Sequence, residues 1–95
     1  MGLKEAYQEK LEAQLKEWSA KISELKAKAD QASADAKIKM YHELDDLKAR
    51  KGAAQEKLNE IKAAGAEKWE SLRAGADQTL ADLKSKWETL RGKFK

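Results

Sequence analysis

The groups best placed to do chemistry at helical spacing are His42, Asp45 and Asp46, at i, i+3 and i+4, which offer an imidazole and two carboxylates to one helix face. Two or three ligands with no second cluster hold a metal ion weakly, so an exposed histidine among acids is the preferred reading. Nucleophilic catalysis has as little to stand on. Ser19, Ser23, Ser33, Ser71 and Ser85 are scattered over polar faces, and the one histidine has no Ser or Cys partner at helical spacing. Gly52, Gly65 and Gly75 are isolated and follow no strand, so no phosphate cradle is expected. The absence of Cys removes disulfides, thiolate chemistry and Cys-based metal sites together. The chain is therefore expected to be a non-enzyme with no catalytic residue, metal, cofactor or small-molecule substrate.

What the sequence positions instead is an apolar stripe. Leu11, Leu15, Trp18, Ile22, Leu25, Ala29, Ala32, Ala36, Met40, Leu44, Leu47, Lys51, Ala54, Leu58, Ile61, Gly65, Trp69, Leu72, Ala76, Leu80, Leu83, Trp87, Leu90 and Phe94 follow one another in steps of three or four. Only Lys51 and Gly65 are not apolar, and Leu3 and Tyr7 extend the row toward the N-terminus. The mean step, about 3.6 residues, is the period of an undistorted α-helix rather than the 3.5 of a strict heptad seam, so long, nearly straight rods are expected. The fold class read from this is all-α: long amphipathic helices forming an antiparallel coiled coil or helical bundle by oligomerisation. Val and Pro are absent and 39% of residues are charged, the composition of coiled coils and long helices.

Exposed positions place an acid four residues before a base at Glu12 and Lys16, Glu17 and Lys21, Glu24 and Lys28, Asp46 and Arg50, and Asp82 and Lys86. Such pairs mark a solvated helix face and account for most of the charge without a ligand. Both signs interleave along the helices, which argues against nucleic acid. The last twelve residues carry +4, Lys84, Lys86, Arg91, Lys93 and Lys95 facing Glu88 alone, and the rest of the chain −1, which gives the net +3. Cations here complement the negative end of a helix dipole.

Three places invite a break: residues 30–35, Gly52 and Gly65. A loop is expected to reset the phase of the stripe, and the stripe crosses residues 29–36 without a slip, which argues for continuous helix there. Gly52 has the basic approach of a C-cap, although the stripe stays in phase across it if Lys51 lays its methylenes along the face. Gly65 is the best break, a stripe position with no side chain. The chain thus reads as one domain, with a helix over about residues 3–62, a break near Gly65 and a helix over about residues 66–94. At 1.5 Å per residue these are about 90 and 43 Å long, so a hairpin covers only half of the long stripe and a second copy is expected to cover the rest. The interface residues would be Leu11, Leu15, Trp18, Ile22, Leu25, Met40, Leu44, Leu47, Leu58, Ile61, Trp69, Leu72, Leu80, Leu83, Trp87, Leu90 and Phe94, in an antiparallel dimer or higher bundle. Ile38 and Tyr41, off the stripe beside Met40 and Leu44, widen the face for a further helix contact.

An internal repeat, Lys68-Trp69-Glu70-Ser71-Leu72-Arg73 and Lys86-Trp87-Glu88-Thr89-Leu90-Arg91, is offset by 18 residues, five turns, which aligns the two tryptophans. From Leu80 to Phe94 the face carries Trp87 and Phe94, with Lys84, Arg91 and Lys95 flanking one edge and Lys86 and Lys93 further round the other side, an alternative surface for anionic lipid headgroups. No run approaches the roughly 20 apolar residues of a membrane span. The opening Met1-Gly2-Leu3-Lys4-Glu5-Ala6 has no apolar signal core, and Ala6 stands where N-myristoylation takes Ser or Thr. A cytoplasmic protein, at most peripheral to a membrane, is expected.

The Ala6-Tyr7-Gln8-Glu9-Lys10-Leu11-Glu12-Ala13-Gln14-Leu15-Lys16-Glu17-Trp18 opening, the segments Leu25-Lys26-Ala27-Lys28-Ala29-Asp30 and Ala34-Asp35-Ala36-Lys37-Ile38, and Trp69-Glu70-Ser71-Leu72-Arg73-Ala74-Gly75 resemble a family of small bacterial coiled-coil proteins, often labelled stress-response or hypothetical proteins. The amphipathic repeats are also similar to those of apolipoproteins. The resemblance spans essentially the whole chain in Ala, Lys and Glu helix text, and implies an all-helical bacterial protein with no catalytic residues to carry over. Gly52 departs from the polar residue usual in the family. A self-associating, protective interaction protein is the reading favoured; a lipid-surface binder comes second, and a disordered protectant third, disfavoured by three Trp and the unbroken stripe.

Overall fold

The computed structural model describes residues 2–93 and consists of three helices, with no strand among these residues: α1 (Leu3–Asp30), α2 (Ala34–Ala63) and α3 (Lys68–Lys93). They run up, down and up in a bundle of 50 × 19 × 19 Å, with α2 packed against both neighbours. The continuous helix over residues 3–62 is therefore two helices. Gln31 closes α1 in the right-handed helical region, its N–H and that of Ala32 still bonding three residues back to Lys28 and Ala29. Ser33 then adopts φ −63°, ψ 161° and caps α2, with Oγ accepting from the Ala36 N–H at 3.4 Å. Asp35 adds an acid to the first turn of α2, where the helix dipole favours it. The stripe keeps its phase because this connection is so short and so nearly helical.

With α1 folded back on α2, the 90 Å helix does not exist, and the length mismatch that asks for a second copy does not arise. Every buried side chain belongs to the stripe or to its N-terminal extension at Tyr7, and no charged or amide side chain is buried among the described residues. One cluster joins Trp18, Ile22, Leu25, Met40, Leu44 and Leu47 to Leu83 and Leu90; the other joins Tyr7, Leu11, Leu15, Ala54, Leu58, Ile61, Trp69 and Ala76. Leu80 touches both. Leu72 and Trp87 are half-buried at the edge of the core. Phe94 and Lys95 lie outside the described residues, as does the side chain of Lys93. Ile38 and Tyr41 are exposed rather than buried against a further helix, Tyr41 reaching only the end of α1 through a hydrogen bond from its hydroxyl to Asp30.

The second connection, residues 64–67, contains Gly65, whose C=O accepts from the Lys68 and Trp69 N–H groups at 3.2 and 3.3 Å. Lys4 reaches across from α1 to donate to the Ala64 C=O at 2.6 Å, placing a cation at the negative end of α2. Gly52 ends nothing: α2 runs straight through it, and a Cβ built there meets no atom within 4 Å. Gly52→Ala is expected to stabilise the bundle by about 0.5–1 kcal/mol, through reduced freedom of the unfolded chain and better helix propensity. A raised urea midpoint at unchanged slope is the readout.

Candidate interaction face

The α1–α3 seam carries the features most suited to meeting another molecule. These two helices run parallel and meet through two aromatic pairs as well as aliphatic core residues. Tyr7 and Trp69 lie with ring centroids 6.0 Å apart, and Trp18 meets Trp87 edge to face at 5.9 Å. The repeat that aligns Trp69 and Trp87 on α3 thus supplies each with an aromatic partner on α1. The Tyr7 hydroxyl donates to Asp77 at 2.6 Å, and the Arg73 guanidinium lies 5.4 Å from the Tyr7 ring centre. Burial first, then the Asp77 bond, raises the Tyr7 phenol well above its ordinary range. Nothing local in the sequence links Tyr7, an extension of the stripe, to Trp69, Arg73 and Asp77, more than sixty positions away.

Along the same seam lies an open groove of about 440 Å³, with Trp18, Leu80 and Trp87 in its wall and Lys10, Lys21, Lys84 and Arg91 alternating with Glu17, Asp77 and Glu88 around it. The Lys21 ammonium sits 4.6 Å from the Trp18 ring centre and 5.9 Å from that of Trp87, over the aromatic pair. Of the proposed lipid-facing residues the structure brings Lys84, Trp87 and Arg91 to this groove.

It sends Lys86 elsewhere. The Lys86 ammonium bonds Glu43 at 2.6 Å and Asp46 at 3.4 Å, tying α3 to α2. The Glu43 bond is the main reason its pKa is raised, against a smaller opposing effect of desolvation. Desolvation likewise pushes Asp46 up, but hydrogen bonds from Arg50 and Lys86 outweigh it and hold the carboxyl below its usual value. Asp46 is thus engaged by cations rather than placed to join exposed His42 and Asp45 as a ligand. Of the five acid–base pairs at i, i+4, Asp46 with Arg50 forms within its helix at 3.2 Å. Glu12 turns to Lys62 across the α1–α2 seam at 2.8 Å, and Asp82 accepts from Gln78. Each surface pair contributes only about 0–1 kcal/mol, so these ties select register more than they add stability.

The fold and this face define an all-α three-helix bundle with an aromatic seam. No family model, curated protein or solved structure matches the chain. No helix among the described residues is long and apolar enough to cross a membrane.

Proposed function

We propose that this chain is a non-enzymatic helical interaction protein that works by self-association, with the stripe that forms its core as the surface it offers to a partner copy. The observation supporting this is the uniformity of the core: among the described residues it holds no charged or amide side chain. Such a core can trade its internal contacts for an equivalent apolar surface without stranding a charged or amide group, whose burial unpaired costs a few kcal/mol. The resemblance to small bacterial stress-response proteins fits a protective role, acting in the cytoplasm.

A second reading, binding to anionic lipid surfaces, is favoured by the convergence of Trp87, Lys84 and Arg91 on one groove. Circular dichroism with multi-angle light scattering, with and without anionic vesicles, separates the two. A helical species that forms oligomers with rising concentration and ignores lipid supports self-association. A helical monomer at every concentration overturns it. Tryptophan fluorescence shifting to the blue on vesicles, as the bundle opens, promotes the lipid reading.

A further inference from the structure

Resting on the self-association reading, we propose that two copies associate by exchanging α1, with residues 31–33 straightening to join α1 and α2 into one continuous helix. The stripe supplies the first reason. Leu25, Ala29, Ala32, Ala36 and Met40 stay three or four residues apart across the turn, so a straight helix keeps all of its apolar side chains on one face. The phase that the short turn leaves intact therefore serves the straight form equally well.

The backbone supplies the second. Gln31 is already in the right-handed helical region at φ −95°, ψ −3°. Ser33 has a helical φ of −63°, and its extended ψ of 161° is what turns the chain. The hinge contains no Gly or Pro and no positive φ, so nothing in it resists continuous helix. Exchange of an identical element is a low-cost route to a dimer, and this connection is only three residues long.

Little holds the turn closed. The Ser33 cap is long, at 3.4 Å. The other tie is an exposed hydrogen bond from the Tyr41 hydroxyl to Asp30, which spans the hinge. In a straight helix these two residues stand about 16 Å apart along the axis, so the bond exists only in the closed hairpin. In the exchanged dimer α1 packs on the partner's α2 and α3, remaking the Trp18–Trp87 contact and the Glu12–Lys62 ion pair between copies. The two long helices would cross where the stripe narrows to Ala29, Ala32 and Ala36, small enough for close approach.

The chain has no Cys, so Ser23→Cys with Lys48→Cys gives two unambiguous spin-label sites, both on one groove between α1 and α2. Labelled protein is diluted into unlabelled protein so that only the distance within one chain is read. The monomer is expected to show helix axes on the order of 10 Å apart. The dimer is expected to show about 38 Å, the span along a continuous helix. Ser33→Ala, alone and with Tyr41→Phe, removes the ties of the closed form and is expected to lower the dimerisation midpoint on the order of tenfold. A Gly-Gly-Ser insertion after Gln31 breaks the continuous helix and is expected to hold the chain monomeric. A dimer showing only the short distance overturns the exchange while leaving self-association standing, as closed bundles that dock. If wild type and both variants stay monomeric up to millimolar concentration, exchange and self-association fail together.

Discussion

Leu47→Asp is expected to abolish the fold rather than merely weaken it. Leu47 is fully buried in α2, where residues from both neighbouring helices join the same cluster. Truncating such a leucine to alanine costs about 2–5 kcal/mol in lost transfer energy and cavity. Aspartate adds the burial of a carboxyl group with no partner at hand, whose charged form costs several kcal/mol more. A chain of this length has a total stability of about 5–14 kcal/mol, so the sum reaches most or all of it. The check is far-ultraviolet dichroism at neutral pH. A continuous-helix dimer would instead lose its partner at this substitution, and either form loses its helix, because both bury the same face. Leu47→Ala, which should leave a folded but less stable bundle, shows that the larger loss comes from the buried acid. A fully helical Leu47→Asp protein would mean that position 47 reaches water.

Trp69→Ala is the second large effect. Trp69 is 5% exposed at the start of α3, against Tyr7 and in one cluster with Leu58 and Ile61. Removing a buried tryptophan to alanine costs about 3–5 kcal/mol. The loss should spread to Tyr7, whose ring would face a cavity and whose bond to Asp77 depends on α1 and α3 staying together. Urea denaturation followed by dichroism should show a midpoint lowered in proportion. Trp87→Ala serves as the comparison: Trp87 is only half-buried, so a smaller loss is expected although the repeat gives both tryptophans the same local sequence. Equal losses would mean that exposure does not distinguish them.

That contrast shows where local sequence stops being informative. The repeat places both tryptophans on one helix face, a matter of period alone, but their burial depends on the neighbouring helix at each level. The same division runs through the charges. Asp46 and Arg50 pair as their spacing suggests, whereas Lys86 and Glu12 lie within reach of partners on other helices and take those instead. The lipid-facing set divides likewise, because Lys84 and Arg91 point toward α1 and Lys86 toward α2. Ile38 and Tyr41 are apolar enough to suggest a helix contact, but Tyr41 sits one position round from the face that α2 buries and Ile38 nearly opposite it.

By itself the sequence determined which face of each helix would be buried, though not how deeply each residue on it lies. In a helix the direction of each side chain follows from its position in a period of about 3.6, so one stripe of Leu, Ile, Trp and Ala names the core whatever it packs against. The class of fold follows equally locally, from helix formers without Val or Pro. Where α1 turns back onto α2 was decided only in tertiary structure. A phase-preserving connection, helical at Gln31 and in the φ of Ser33, reads the same straight or turned, and the local signals at Ser33 and Asp35 are worth little against a continuous stripe. What selects the turn is that α1, once folded back, covers α2 within its own chain, so the apolar face is buried without the entropy lost in bringing a second molecule to it.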